Sequence, residues 1–245
     1  MQQLLEVQPF TYASILESCC RFYLYGLYFA TYHPGLPFEI YIIKQHLQNC
    51  LKSLFDLYCQ VHFEFGDKQG LRSCACMLSA HLLLNIHETD SLVAVLCIAP
   101  PTLRRSEPLR TCIAICLAVM HRNYVRCGRL ATRLCAEQHL LPLCALSLSL
   151  ERLRCDTVRL LSCSHHSKAG TFLSSHLADW LLMTSGADAA KYCAHCGMQV
   201  KDSTVRFCKA DFKVSIGPAT GCVIFDAINE ATKGEQLINF LSGET

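Results

Sequence analysis

The sequence predicts a mainly α-helical protein, an α-solenoid of tetratricopeptide style followed by a small winged helix with a short β-hairpin. Three observations carry this expectation. Apolar residues recur at three- and four-residue spacings through most of the first 165 positions, interrupted by polar or Pro/Gly breaks. The segments between breaks have similar lengths and short connections, as antiparallel helix pairs do. After residue 170 the helical segments shorten and an alternating run appears, the signature of a strand. No strict 34-residue period is present, so the repeats are structural and not sequence-identical; an irregular helical bundle is the alternative.

Helix one spans 12–31 and stops at His33-Pro34-Gly35. Helix two, 38–63, places Leu47, Leu51, Leu54 and Leu57 on one side and ends near Gly66. A third runs from about Gln69 to Ile86, and a short fourth follows Thr89 or Asp90 as cap. Pro100-Pro101 breaks the chain before helices at 106–120, 122–137 and 142–164. Next come a helix at 171–184 and a shorter one at 187–196, with Gly197 as its C′ residue. Met198-Gln199-Val200, the turn Lys201-Asp202-Ser203 and Thr204–Cys208 read as a hairpin, followed by an extended piece over Asp211–Ile216. These elements divide the chain into a helical-repeat domain (1–168), a winged helix (169–216) and a tail (217–245) with one helix near 225–240.

Of the 245 residues, 51% are apolar and 17% charged, which excludes disorder and requires a large core. The net charge of +2 is unevenly spread. Residues 1–103 hold five basic and eight acidic residues, whereas residues 104–159 hold ten of the thirteen arginines against Glu107, Glu137, Glu151 and Asp156. An acidic partner is therefore expected at the middle third. Met1–Glu6 has no signal-peptide pattern, and the apolar runs Phe22–Tyr32 and Cys112–Met120 are shorter than the roughly 20 residues of a membrane helix. The eighteen cysteines stand mostly at helical core spacings, so they are read as reduced core residues of an intracellular protein and not as a disulfide framework.

Arg122, Arg126, Arg129 and Arg133 form one stripe, their directions agreeing within about 60° at about 100° per residue. Tyr124, Cys127, Gly128, Ala131, Leu134 and Cys135 point the other way. Such a helix packs its apolar side inward and offers guanidinium groups outward, to nucleic-acid phosphate or an acidic protein. Arg152, Arg154 and Arg159 add charge on the next helix, where at least one is expected to pair with Glu151 or Asp156. Asn123 and Tyr124 are expected to order the turn before the stripe. The hairpin contributes Lys201, Arg206, Lys209 and Lys213. Its preceding helix holds only Lys191 and Asp188, too few donors for a major-groove reader, so backbone contact or a protein partner fits better.

Cys193-Ala-His-Cys196-Gly197 resembles a zinc knuckle, but no second closely spaced pair follows, and helix-favouring alanines precede it. The eleven histidines show no HExxH or Cys/His catalytic spacing, and P-loop, GxGxxG and GxSxG motifs are missing from the sequence. Neither an enzyme nor a cofactor is expected.

The stretch Cys112–Leu134, with Asn123-Tyr124-Val125-Arg126, resembles the Asn-Tyr helix turn of the Sac-three/GANP family. The likeness continues through Leu150-Glu151-Arg152-Leu153-Arg154 and through Leu177–Gly197, with Ala189-Ala190-Lys191-Tyr192-Cys193. It covers roughly residues 10–214 and is closest to the short Sac-three homology domain proteins. The resemblance implies a PCI-like fold, a helical array ending in a winged helix. It also implies a scaffold role: centrosome duplication and spindle function for short members, transcription-coupled messenger-RNA export for large ones. The sequence starts after the Cys/Pro/Glu/Arg segment that usually precedes the array, and has Arg122 where glycine is common before Asn-Tyr. It lacks nucleoporin-like repeats, an acetyltransferase region and a centrin-binding helix, so direct nuclear-pore docking and centrin binding are not expected of it.

The expected function is thus non-enzymatic scaffolding in centrosome duplication, spindle assembly and mitotic progression. The alternatives are an export-complex subunit binding RNA or DNA, and a zinc-stabilised module. Expected partners are proteins, a second PCI-type winged-helix subunit among them, with RNA or DNA backbone contact in addition; neither a membrane nor a small-molecule substrate is expected. The expected locations are the nucleus, the centrosome and spindle, and the cytoplasm.

Overall fold

A computed structural model describes residues 9–33, 39–61, 68–165, 170–214, 221–233 and 235–243. It is mainly helical, with a small three-stranded antiparallel sheet, in keeping with a helical PCI-like fold. In the first half, α1 (Pro9–Tyr32) packs along α2 (Ile40–Gln60), with Tyr23 stacked on His46 at 5.6 Å. Leu47, Leu51, Leu54 and Leu57 of α2 are all buried, on the side the spacing selects. Then follow α3 (Lys68–Leu84), α4 (Thr89–Ile98), α5 (Pro101–Arg104), α6 (Leu109–Met120) and α7 (Tyr124–Ala136). The Pro100-Pro101 break contains the short α5, because Pro101 stands at its first position, where no amide donor is needed.

The helix expected over 142–164 is two helices, α8 (Leu140–Ser147) and α9 (Leu150–Ser164). At the break, Tyr32 Oη donates to the Ser147 carbonyl at 2.5 Å, satisfying one of the acceptors left free at the end of α8. Every residue of α8 is buried, including Pro142 and Ser147, so α8 is the helix that α1, α3, α7, α9 and the late helix Val223–Ala231 surround. A repeat helix in a regular solenoid keeps one face in solvent, and α8 does not.

The second half departs from expectation in three places. Phe172–Leu173 is a strand, β1, and α10 (Ser174–Leu181) stops where Leu182 takes φ 55°. After α11 (Gly186–His195), β2 (Gln199–Lys201) and β3 (Thr204–Arg206) form the expected hairpin, and β1 pairs with β3 to give the order β1-β3-β2. Asp211–Val214 forms no strand, and residues 215 and 216 lie outside the described residues. The single late helix is two, α12 (Val223–Ala231) and α13 (Glu235–Ser242). Pro34, Gly35, Gly66 and the expected divisions near 168 and 216 also lie outside the described residues.

Two apolar clusters hold these parts. The larger runs from α1 to Leu153 and takes in Cys222, Ile224, Ile228 and Phe240 from the chain's last helices. The smaller joins Val158 and Leu161 of α9 to α10, α11 and the sheet, through Leu177, Tyr192, Cys193, Val205 and Phe207. α9 therefore serves both.

Burial has one consequence for pH. His81 on α3 sits 4.6 Å from the Phe55 ring, and desolvation pulls its pKa down to about 4. The neutral form is favoured in the fold, so this stability is present above pH 6.5 and lost as pH falls from 6.5 towards 4. Urea titrations should show wild type losing about 2–3 kcal/mol more than His81→Gln over that interval. Equal losses would refute the assignment.

Candidate partner-binding surface

α7 owes its orientation to its two ends. At the start, the connector His121-Arg122-Asn123 closes α6 with a Schellman pair: Asn123 N donates to Ala118 O at 2.7 Å and Arg122 N to Val119 O at 2.9 Å. Arg122 takes φ 54°, a left-handed conformation that suits the glycine expected there. Asn123 is the N-cap of α7, its Oδ1 accepting from Arg126 N at 3.1 Å, and Tyr124 is buried. The connector Glu137-Gln138-His139 repeats the geometry, with Gln138 at φ 53° and His139 N bonded to Leu134 O.

The buried residues of α7 are Tyr124, Cys127, Gly128, Ala131, Leu134 and Cys135. They face α6, α8, α10 and α12. Gly128 permits the contact with α10: a Cβ there would stand 3.0 Å from the Asp179 carbonyl and 3.2 Å from that of Trp180. Arg122, Arg126, Arg129 and Arg133 are exposed. The row is not uniform. Arg133 is tied to Glu137 at 2.7 Å and Glu107 at 3.5 Å, and Glu107 also holds Arg110. Among the described residues Arg122, Arg126 and Arg129 carry no ion pair; Arg126 and Arg129 lie on α7, whereas Arg122 falls outside the helix expected from residue 122, in the left-handed connector before its N-cap.

On α9, Arg159 is exposed and paired with Asp156 at 2.8 Å, and Arg152 is exposed. Arg122, Arg159 and Asp156 all act on the Tyr124 phenol, whose pKa burial raises, so the start of the row adjoins α9. Arg154 is a correction. The sequence places it among the partner-binding arginines, yet only 1% of it is exposed, and it meets instead the expectation of a pair with Glu151. Its Nε donates to Leu181 O at 2.8 Å, its Nη2 to Leu182 O at 3.1 Å and its Nη1 to Glu151 Oε1 at 3.0 Å. It closes the C-terminal end of α10, where free carbonyls favour a cation. A signal for this exists in the sequence. Arg154 lies on the stripe Leu150, Thr157, Val158, Leu161, all buried.

The sheet's charges are dispersed. Lys201, Lys209 and Lys213 are exposed, whereas Arg206 is half-buried with its Nε enclosed and unbonded among the described residues. Cys193 and Cys196 are both fully buried in the smaller cluster, with thiols pushed up to about 12 and about 11 chiefly by burial. Gly197 completes a helix cap at φ 87°, with Met198 N on Cys193 O, and a Cβ there would strike the Asp211 carbonyl. The Cys-Cys-Gly spacing thus has a packing explanation. Among the described residues, no three His, Cys, Asp or Glu side chains gather in a way that would hold a metal ion.

What the geometry presents is a helical support with a basic face. The SAC3/GANP family model matches residues 1–202, and the chain belongs to the SAC3/GANP family. This is a family of non-catalytic scaffolds acting in protein complexes, and membership indicates a role in messenger-RNA export or related processes, in a nuclear or other intracellular location. No solved structure matches the chain. No helix among the described residues is long and apolar enough to cross a membrane.

Arg154→Ala should cost about 3–5 kcal/mol, because it strands the Glu151 carboxylate and the Leu181 carbonyl and leaves a void in a buried site; a urea-measured loss under about 1 kcal/mol would place the guanidinium in solvent. Arg122→Gly should raise stability by up to about 1 kcal/mol, by relieving the left-handed backbone. A lower urea midpoint for that variant would contradict the Schellman geometry.

Proposed function

We propose that the chain is a non-enzymatic scaffold that docks an acidic protein surface on Arg122, Arg126 and Arg129 and serves centrosome duplication, spindle assembly and mitotic progression. The observation that carries the docking surface is the freedom of Arg126 and Arg129 on a helix whose other face is fully packed, with Arg122 free in the connector at its start. The mitotic role rests on the resemblance to the short family members.

The same reading takes residues 169–216 as a winged helix. In support, the chain runs β1, α10, α11, β2, β3 with strand order β1-β3-β2. A second winged-helix subunit is the partner proposed for this unit. The remainder divides into a helical-repeat domain, 1–168, and a tail, 217–245.

A nucleic-acid reading has its own support in the exposed Lys201, Lys209 and Lys213, which give the sheet unit a capacity for phosphate contact beside the row. In that reading the chain is a subunit of a transcription-coupled messenger-RNA export complex.

The test replaces Arg122, Arg126 and Arg129 with Glu and leaves Arg133 in its ion pairs. Helicity and melting temperature should stay within error of wild type. Tagged protein recovered from mitotic cells should lose centrosomal and spindle partners by at least tenfold, read by quantitative mass spectrometry. Unchanged recovery would refute the docking surface. An RNA or DNA oligonucleotide bound with a log–log salt slope of about −2 to −3, abolished in the variant, would favour the second reading.

A further inference from the structure

α12 and α13 lie beyond the residues matched by the family, yet they cover the first core. Ile224 and Ile228 are fully enclosed, and Phe225 stands 4.2 Å from the Tyr32 ring and 6.0 Å from that of Tyr28. Tyr28 Oη donates to Asn229 Oδ1 at 3.4 Å. In α13, Phe240 is buried beside Tyr25 while Ile238 is 68% exposed. The seat is built by α1, α7 and α8, and its aromatic part is a stripe along α1, Tyr25, Tyr28 and Tyr32.

Two features, one-sided burial and ties gathered at one end, distinguish this packing from that of α8, which is equally short. Both helices bury one side only, with Asp226, Asn229 and Glu230 of α12 in solvent, whereas α8 beneath is enclosed all round. At nine and eight residues both are too short to be helical alone, so their helicity comes from the seat. Their backbone ties to the rest of the fold gather at one end, where Thr184 N meets Gly221 O at 3.0 Å and Val223 N meets Leu182 O at 3.2 Å. An amphipathic helix laid in an apolar groove is a recurrent recognition mode, read through anchors at one-turn spacing.

We propose that the surface formed by α1, α7 and α8 is a helix-binding groove, occupied here by the chain's own α12 and α13. The partner it fits in trans is an amphipathic helix with the same Ile-Phe-x-x-Ile spacing as residues 224–228. The segment opens locally, without unfolding the core, and the incoming helix takes its place. The groove lies behind α7, on the side opposite the arginine row, so it is a second surface with its own ligand.

Native-state hydrogen exchange on the full chain tests the opening. Amides of α12 and α13 should exchange together, at least 100-fold faster than those of α8; equal protection would overturn the proposal. A protease site placed between Val214 and Gly221 tests the groove. After cleavage of the folded chain, a fluorescein-labelled peptide of residues 221–243 should exchange into the protein. The peptide carrying Ile224→Asp and Ile228→Asp should bind at least 30-fold more weakly, each buried isoleucine contributing about tenfold or more. A cleaved chain that keeps its own segment against excess peptide, or releases it and then binds no peptide, would overturn the groove. Neither result bears on the arginine row.

Discussion

One buried guanidinium sets the arrangement of the parts. Arg154 reaches from α9 into the end of α10, and its charge is met by two carbonyls and the Glu151 carboxylate. The Leu182 carbonyl also accepts from Val223 N, so one oxygen joins α9, the end of α10 and the start of α12. A cation there cannot slide without losing its partners, and leaving them unpaired in a dry site is costly. With α10 fixed against α9, its Asp179 and Trp180 carbonyls lie against Gly128, which fixes the roll of α7. The outward row of arginines is the far end of that chain of contacts.

The paired and unpaired charges sort themselves accordingly. All four acidic residues between 104 and 159 are engaged: Glu107 with Arg110 and Arg133, Glu137 with Arg133, Glu151 with Arg154, Asp156 with Arg159. The surplus therefore falls on Arg104, Arg105, Arg122, Arg126, Arg129 and Arg152. Arg126 and Arg129 share one face of α7, and Arg122 stands in the connector at its entry. The backbone beneath them is fixed, so the ordering cost of meeting a partner falls on the arginine side chains.

Much of this was legible in the sequence, for identifiable reasons. The two faces of α7 could be read because its apolar and basic residues separate cleanly at helical spacing, and α2 because four leucines do the same. The α8–α9 break was not, since the group that meets the carbonyl freed there is the Tyr32 hydroxyl, over a hundred residues away. β1 is two residues long and exists only by pairing with β3. A pair between Glu151 and an arginine of α9 was legible from their spacing; the burial of Arg154 follows from its place on an apolar stripe, against the outward position its charge suggests. The return of α12 and α13 to α1 left no local trace, as contacts between distant segments do not alter the periodicity of either.

That return also bears on how the protein is made. Tyr32 and Phe225 are about 190 residues apart, and their rings meet only after both have left the ribosome. At ordinary elongation rates the wait is about 10–40 s. Throughout it, the aromatic stripe of the first helix is bare to the cytosol, a surface for chaperones to hold until synthesis catches up.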